Sequence, residues 1–213
     1  YIGVYWMNNQ QFIFDFETLG IDLLKGFPVL ECAYGIFDAD RFLTDPYTFE
    51  ELVESVIVKD KFDIEHQVRE FGYKIDSNTL EWWKSQDKDL QSIILKPSSE
   101  DIRIDKFIDN LMIMLYDNMN CQYWWSRSNT FDPIILYRMA TDVNRMDELS
   151  NRLKHWNVRD TRTFIDAKFN FAPKMTSYIL EEWKEKFEAH NSIHDVAIDV
   201  MRLQKLIIVE NEE

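Results

Sequence analysis

Two carboxylates, Asp15 and Glu17, stand two residues apart near the end of an apolar run, Phe12-Ile13-Phe14-Asp15-Phe16-Glu17-Thr18. Read as a strand, the run turns Phe12, Phe14 and Phe16 to one face and Ile13, Asp15 and Glu17 to the other. Acids side by side on a buried strand repel each other and lose hydration. A divalent cation relieves both problems, because hard cations take carboxylate oxygens. The other reading is a strand that has already reached solvent at Asp15 and carries an ordinary exposed acid pair.

Two further segments carry groups of the same kind. Ser128-Asn129-Thr130-Phe131-Asp132-Pro133 places Asp132 directly before a proline favoured in the first helical turn, where an acid can also act as a cap. His190-Asn191-Ser192-Ile193-His194-Asp195 leads into an apolar C-terminal run. There Ser192 and Asp195 also fit a capping pattern, so Asp195 has a purely helical reading as well. Trp82 and Trp83 are neighbours on a short helical stretch, so at most one of them can face a core. One reading has both simply packed, as Trp usually is, with one of them at an edge. Left exposed, that one would offer a stacking surface to a base, of about 1–3 kcal/mol per stack. Arg159, Asp160 and Arg162 read either as phosphate contacts or as a structural ion pair, and Trp124-Trp125 as core strand.

Those groups need a scaffold, and the composition provides for one. The 213 residues are 46% hydrophobic with 7 Trp, 9 Tyr and 15 Phe, which excludes a disordered chain and allows a sizeable core. Cys32 and Cys121 have no metal-ligand or disulfide-framework spacing, so a reduced, cytoplasmic location is expected. No stretch approaches a membrane span. Residues 1–10 are expected to be an N-terminal extension, with Met7 a plausible start, and 11–213 the functional domain. The net charge of −14 argues against a broad basic face gripping a nucleic-acid backbone. It leaves room for a site whose cations are bound metals.

Periodicity places strands over 11–16 and Pro28–Asp38, with Gly20 and Lys25–Pro28 punctuating the turn between them. Helices are expected over Ser77–Gln86, capped by Ser77, over Asp87–Leu95, and from a Ser98 cap onward. In the last of these Ile104, Phe107, Ile108, Leu111, Met112 and Leu115 should face a sheet. A strand over Gln122–Trp125 and helices over Asp132–Val143, Ser177–Phe187 and Ser192–Val209 follow, with 160–170 ambiguous. The order predicts a single α/β domain with a mixed central sheet flanked by helices.

An apolar strand ending in D-x-E, then N-x-x-F-D opening a helix, then H-x4-D opening another, resembles the motif set of the DEDDh exonucleases. The match falls on Asp15, Glu17, Asp132, His190 and Asp195. More closely, the chain is similar to the T-even phage exonuclease A family and a related bacterial exoribonuclease-like domain. That likeness runs through Asp15–Thr18, Leu80–Lys84, Phe131–Ile134, Val158–Thr163 and Ala189–Asp195. Asn191 departs from it, standing where the phage enzymes carry an acid. The resemblance implies an RNase-H-like fold and 3'-to-5' hydrolysis of a terminal phosphodiester with release of nucleoside 5'-monophosphates. It implies two divalent ions, Mg2+ or Mn2+, held by Asp15, Glu17, Asp132 and Asp195, with His190 as general base and no role for His194. Thr18, Trp82, Trp83, Asn129, Arg159 and Arg162 are the expected substrate contacts. The expected substrate is the 3' end of single-stranded nucleic acid, DNA before RNA. The alternatives are an exoribonuclease on short RNA and a catalytically silent binding module on the same fold, which would need no such set of acids. A metal-free acid–base hydrolase would need only two of them.

Overall fold

A computed structural model describes residues 9–119, 121–171 and 177–212; most of the expected N-terminal extension lies outside them. Five strands form one mixed sheet: β1 (Gln10–Thr18), β2 (Val29–Asp38), β3 (Ile57–Lys61), β4 (Tyr123–Ser126) and β5 (Val158–Asp160). Their order is β3-β2-β1-β4-β5. β2 runs antiparallel to both β1 and β3, while β4 and β5 run parallel to β1. This is the RNase-H-like layout, with β1 central, as its unbroken apolar run requires.

Alternation along β1 divides the core. Phe12, Phe14 and Phe16 pack with α6 (Ile104–Asp117) and α7 (Asp132–Asp142), through Phe107, Ile108, Leu111, Ile135, Leu136 and Met139. On the other face Ile13, Ala33 and Phe37 meet Val196, Ala197, Val200 and Leu203 of α11 (Ser192–Glu212). All six apolar positions expected on α6 are buried. The sheet therefore lies between two helical layers, and both layers begin helices where β1 ends.

Several expectations shift on tertiary grounds. α6 starts at Ile104, not at Ser98. The residues before it are drawn into extended pairing, with Ile102 bridging Phe62 and its N–H donating to the Lys61 carbonyl. Ser98 and Asp101 close only a turn, in which the Ser98 N–H donates to the Asp101 carboxylate at 2.9 Å. α4 (Ser77–Lys84) is capped by Asp76, whose carboxylate accepts the Thr79 N–H at 2.8 Å, so Ser77 is the first helical residue. The helix expected over Ser177–Phe187 shrinks to α10 (Glu181–Lys184). Ahead of it the Tyr178 carbonyl is held by Arg202 from α11 at 2.9 Å, and Tyr178, Ile179 and Leu180 pack on the α11 core. The ambiguous 160–170 stretch holds α9 (Thr161–Lys168), and β4 sits one residue later than expected.

Gly35 shows how tightly β2 and β3 approach. A Cβ there would fall 2.6 Å from the Val56 carbonyl oxygen, a backbone atom that cannot swing away. Gly35→Ala is expected to destabilise the domain by about 1–3 kcal/mol. At roughly 2–4 °C per kcal/mol this is a measurable fall in Tm; an unchanged melting curve would mean that β3 yields at little cost.

Candidate active site

β1 delivers Asp15 and Glu17 to one end of the sheet, on the face away from the three phenylalanines. Asp132, the first residue of α7, is 3% exposed and accepts the Phe16 N–H at 3.3 Å. The carboxylate thus reaches across to β1 and does not cap its own helix from outside. Asp195 lies in the first turn of α11 and accepts the His190 N–H at 2.9 Å. His190 has a left-handed backbone, φ 65°, uncommon for a residue with a side chain. The capping role open to Ser192 is not taken up. Its hydroxyl instead donates at 2.6 Å to Glu31, a buried acid directly opposite Glu17 in the β1–β2 register.

Asp15, Glu17, Asp132, His190 and Asp195 all line one cleft of about 530 Å3, together with Arg127, Ser128 and Arg162. Within it Glu17, His190 and Asp195 each bring one ligand atom to within 4.8 Å of the others, a group able to hold a metal ion. The charges around it conflict. Burial, then repulsion from Asp132, Glu17 and Asp195, holds the Asp15 carboxyl well above its usual range. Burial and the neighbouring Asp195 and Glu31 do the same to Glu17. Burial lifts Asp132 to about 7. Burial and Asp199 raise Asp195 to about 7, against the opposing pull of the His190 N–H and Arg127. Four acids that lose so much by ionising together fit a site completed by cations, and their hard oxygens suit magnesium or manganese.

A second cavity, about 510 Å3, opens beside the first and shares Phe16, Glu17, Ile21 and Phe131 with it. Its remaining wall is Thr18, Asp76, Asn78, Thr79, Trp82 and Trp83. The two tryptophans divide as neighbours on a helix must. Trp83 is 1% exposed and its indole N–H donates to the Thr18 carbonyl at 2.8 Å, whereas Trp82 is 41% exposed.

The other expected contacts separate. Arg162 lines the acidic cleft. Arg159 stacks over Tyr123 with its guanidinium carbon 4.1 Å from the ring centre, and it lines neither cavity. Asn129 is likewise outside both linings; its N–H donates to Asp160, which caps α9. The structural reading of Asp160 is therefore the observed one, although it makes a cap and not an ion pair. His194 has structural partners: its Nδ1 accepts the Glu188 N–H at 3.1 Å and its ring meets Phe49. Asn191 donates to Glu188 at 3.1 Å.

Three residues of this neighbourhood escape sequence reasoning: Glu31, Arg127 and Asp199. Asp199 is buried, accepting from Arg127 and Arg202 at 2.6 Å each and from the Thr161 hydroxyl at 2.6 Å. Glu31 did leave a trace, as a lone acid inside the apolar strand Val29–Phe37, and Asp199 follows Asp195 by one helical turn. Arg127 left none, because only the fold brings it to α11.

A mixed sheet of this order, with four acids and an imidazole gathered at one end of its central strand, is the layout of a DEDDh-type 3'-5' exonuclease. The chain belongs to the Rv2179c-like family of 3'-5' exoribonuclease domains, whose model matches residues 10–207. It is 34% identical over 207 residues to an exodeoxyribonuclease of Enterobacteria phage T4, covering 91% of this chain and 87% of the relative. Among solved structures it is similar to the nuclease domain of 3'hExo, a DEDDh family member bound to rAMP. That match has 11% identity and a TM-score of 0.48, over 97% of this chain and 94% of that one. A 3'-exonuclease recognising a histone mRNA stem-loop matches at 10% identity and a TM-score of 0.46, over 96% and 82%.

The raised carboxyls carry a stability signature. An acid whose folded pKa exceeds its unfolded value, about 4, favours the fold below that value. Its contribution is lost as pH rises toward the folded value, which is about 7 for Asp132 and Asp195. In excess chelator, Tm should therefore fall between about pH 4 and 7 and be restored by magnesium or manganese most strongly above pH 7. Asp195→Asn, which keeps the acceptor for His190, should raise the chelated protein's Tm at pH 8 by a few degrees, at about 2–4 °C per kcal/mol. A metal-independent Tm with no such rise would contradict the charge conflict.

Proposed function

We propose that the chain removes nucleoside 5'-monophosphates from the 3' end of short single-stranded RNA, with the acidic cleft holding the scissile phosphate and the aromatic cavity the terminal nucleoside. The observation that carries the reading is the adjacency of the two cavities across Phe16, Glu17, Ile21 and Phe131. A terminal nucleotide presents a flat base and a phosphate at just such a short separation. The sequence-based preference for DNA rests on the likeness to the phage enzyme. The family description, which spans nearly the whole chain, names RNA and supports the exoribonuclease reading better. Single-stranded DNA is the second reading, favoured by the T4 relative. The cytoplasm remains the proposed location; no described helix is long and apolar enough to cross a membrane.

In this reading Asp15, Glu17, Asp132 and Asp195 hold two divalent ions. When bound, such ions neutralise charge on the phosphate and leaving oxygen and make water easier to deprotonate. Water oxygen attacks phosphorus, the bond from phosphorus to the 3' oxygen breaks, and the shortened strand keeps a 3'-hydroxyl once that oxygen takes a proton. His190 receives the attacking water's proton at a ring nitrogen. Burial lowers its pKa below the usual value, so the imidazole is neutral and ready to accept at neutral pH. Thr18, Trp82 and Trp83 contact the terminal nucleoside, and Arg162 with Arg127 face the backbone phosphates. Arg159 and Asn129 stand outside both linings and have no part in this scheme.

Matched RNA and DNA oligomers with free 3' ends decide the substrate. RNA should be shortened stepwise to 5'-monophosphates only with magnesium or manganese; faster loss of DNA would favour the second reading, and activity in chelator would sink both. His190→Ala should lower turnover about 10²–10⁴-fold, while His194→Ala stays near the parent. The parent rate should climb with pH and level off below the ordinary imidazole range, near 6.5, in keeping with the lowered His190 pKa. The variant should lose that climb.

A further inference from the structure

Trp82 and His190 meet although they belong to different cavities. Trp82 lines the aromatic cavity and His190 the acidic one, and each is absent from the other's wall. Their rings are perpendicular, 89°, with centres 4.9 Å apart. Trp83 backs both, 4.9 Å from Trp82 and 6.3 Å from His190. Trp83 is fixed through its bond to the Thr18 carbonyl at the end of β1.

The backbone of His190 is pinned by the bond from its N–H to Asp195, but no described residue hydrogen-bonds its ring. Among the described residues the ring packs against the two tryptophans on one side and has the Glu17 and Asp195 carboxylates within 4.8 Å of a ring nitrogen on the other. One tryptophan is buried and hydrogen-bonded to the end of β1; the other is 41% exposed and forms part of a cavity wall. Whatever fills that cavity presses on the indole that packs against the imidazole.

We infer that Trp82 is a positioning residue for His190, so that a base seated in the aromatic cavity orients the imidazole in the acidic cleft. The inference rests on the proposed roles of the two cavities. Base binding and chemistry are then coupled: an unoccupied cavity leaves the imidazole without its alignment even when the phosphate is bound. Misalignment of a reacting group by about 1 Å can lower a rate on the order of 10²-fold, so a loss of 10- to 100-fold is the expected size.

Two measurements test this. RNA oligomers ending in a normal nucleotide or in a ribose that lacks its base are compared under single-turnover, saturating conditions. For the parent, the missing base should lower the maximal rate about 10- to 100-fold. Trp82→Ala should lower the rate on the normal oligomer by a similar factor and respond less than twofold to the missing base. Trp82→Phe, which keeps a ring against His190, should recover most of the rate. If the missing base or Trp82→Ala changes only KM, Trp82 is a stacking surface and the coupling is overturned. The second measurement needs no turnover. Adenosine 5'-monophosphate should move the His190 imidazole resonances of the parent clearly further than ribose 5-phosphate does, and the two should move them equally in Trp82→Ala. Equal movement by both ligands in the parent would overturn the inference even in a protein that degrades no oligomer, an outcome that would separately defeat the proposed activity.

Discussion

Four carboxylates crowded at the end of the central strand set the terms for everything around them. Asp15 and Glu17 are held there by the alternation that buries Phe12, Phe14 and Phe16 on the opposite face. Neither can leave without turning the strand over. Asp132 and Asp195 arrive on helices whose first turns abut the same strand end. The free energy lost by charging them together is offset locally by donors: the Phe16 N–H at Asp132 and the His190 N–H at Asp195. Each of these bonds occupies one oxygen of its carboxylate.

The surrounding scaffold resists this repulsion through a buried polar frame. Asp199, one turn after Asp195, draws together Arg127 from the loop after β4, Thr161 from the start of α9, and Arg202. Two segments that carry site residues, the loop after β4 and the start of α9, are thereby tied to α11. On the other flank, Lys59 of β3 lies 3.2 Å from Glu31, and Glu31 accepts the Ser192 hydroxyl. That chain fixes where α11 begins, and with it the distance from Asp195 to Glu17. Buried charges are costly unless paired, and here each pairing also sets a position.

Legibility from sequence followed the range of the interaction. The acids of β1 were readable because a period of two, an apolar run and two carboxylates all lie within seven residues. The apolar face of α6 was readable for the same reason, as a local period of 3.6. The start of α6 was not, because the extended pairing of Ile102 with Phe62 across forty residues displaced the Ser98 cap. The helix expected over Ser177–Phe187 failed in the same way, through the bond from Arg202 to Tyr178. Asp132, His190 and Asp195 each had an equally good local explanation, and only the ordered set, matched to a family, singled them out. Arg127 and the contact between Trp82 and His190 had no local signal of any kind. They exist only once α4, the loop after β4 and α11 are brought to one strand end.

The same layout reconciles a net charge of −14 with a polyanionic substrate. A broad basic groove would attract long backbones nonspecifically, with affinity falling steeply as salt releases fewer counterions. Here the cationic side chains in the acidic cleft are two, Arg127 and Arg162, set against four acids. Without cations such a cleft repels a phosphate backbone; in the proposed reading two divalent ions would reverse its sign. In that reading attraction would be confined to the few ångströms around the ions, with the aromatic cavity beside them taking the terminal base. A strand end satisfies both conditions at once, since its last nucleoside can enter the cavity without being flanked by a further phosphate. An interior residue would have to bring a second phosphate past Asp76, which caps α4, and the exposed Glu81 within it. The acidic surface thereby favours the end of a chain over its middle.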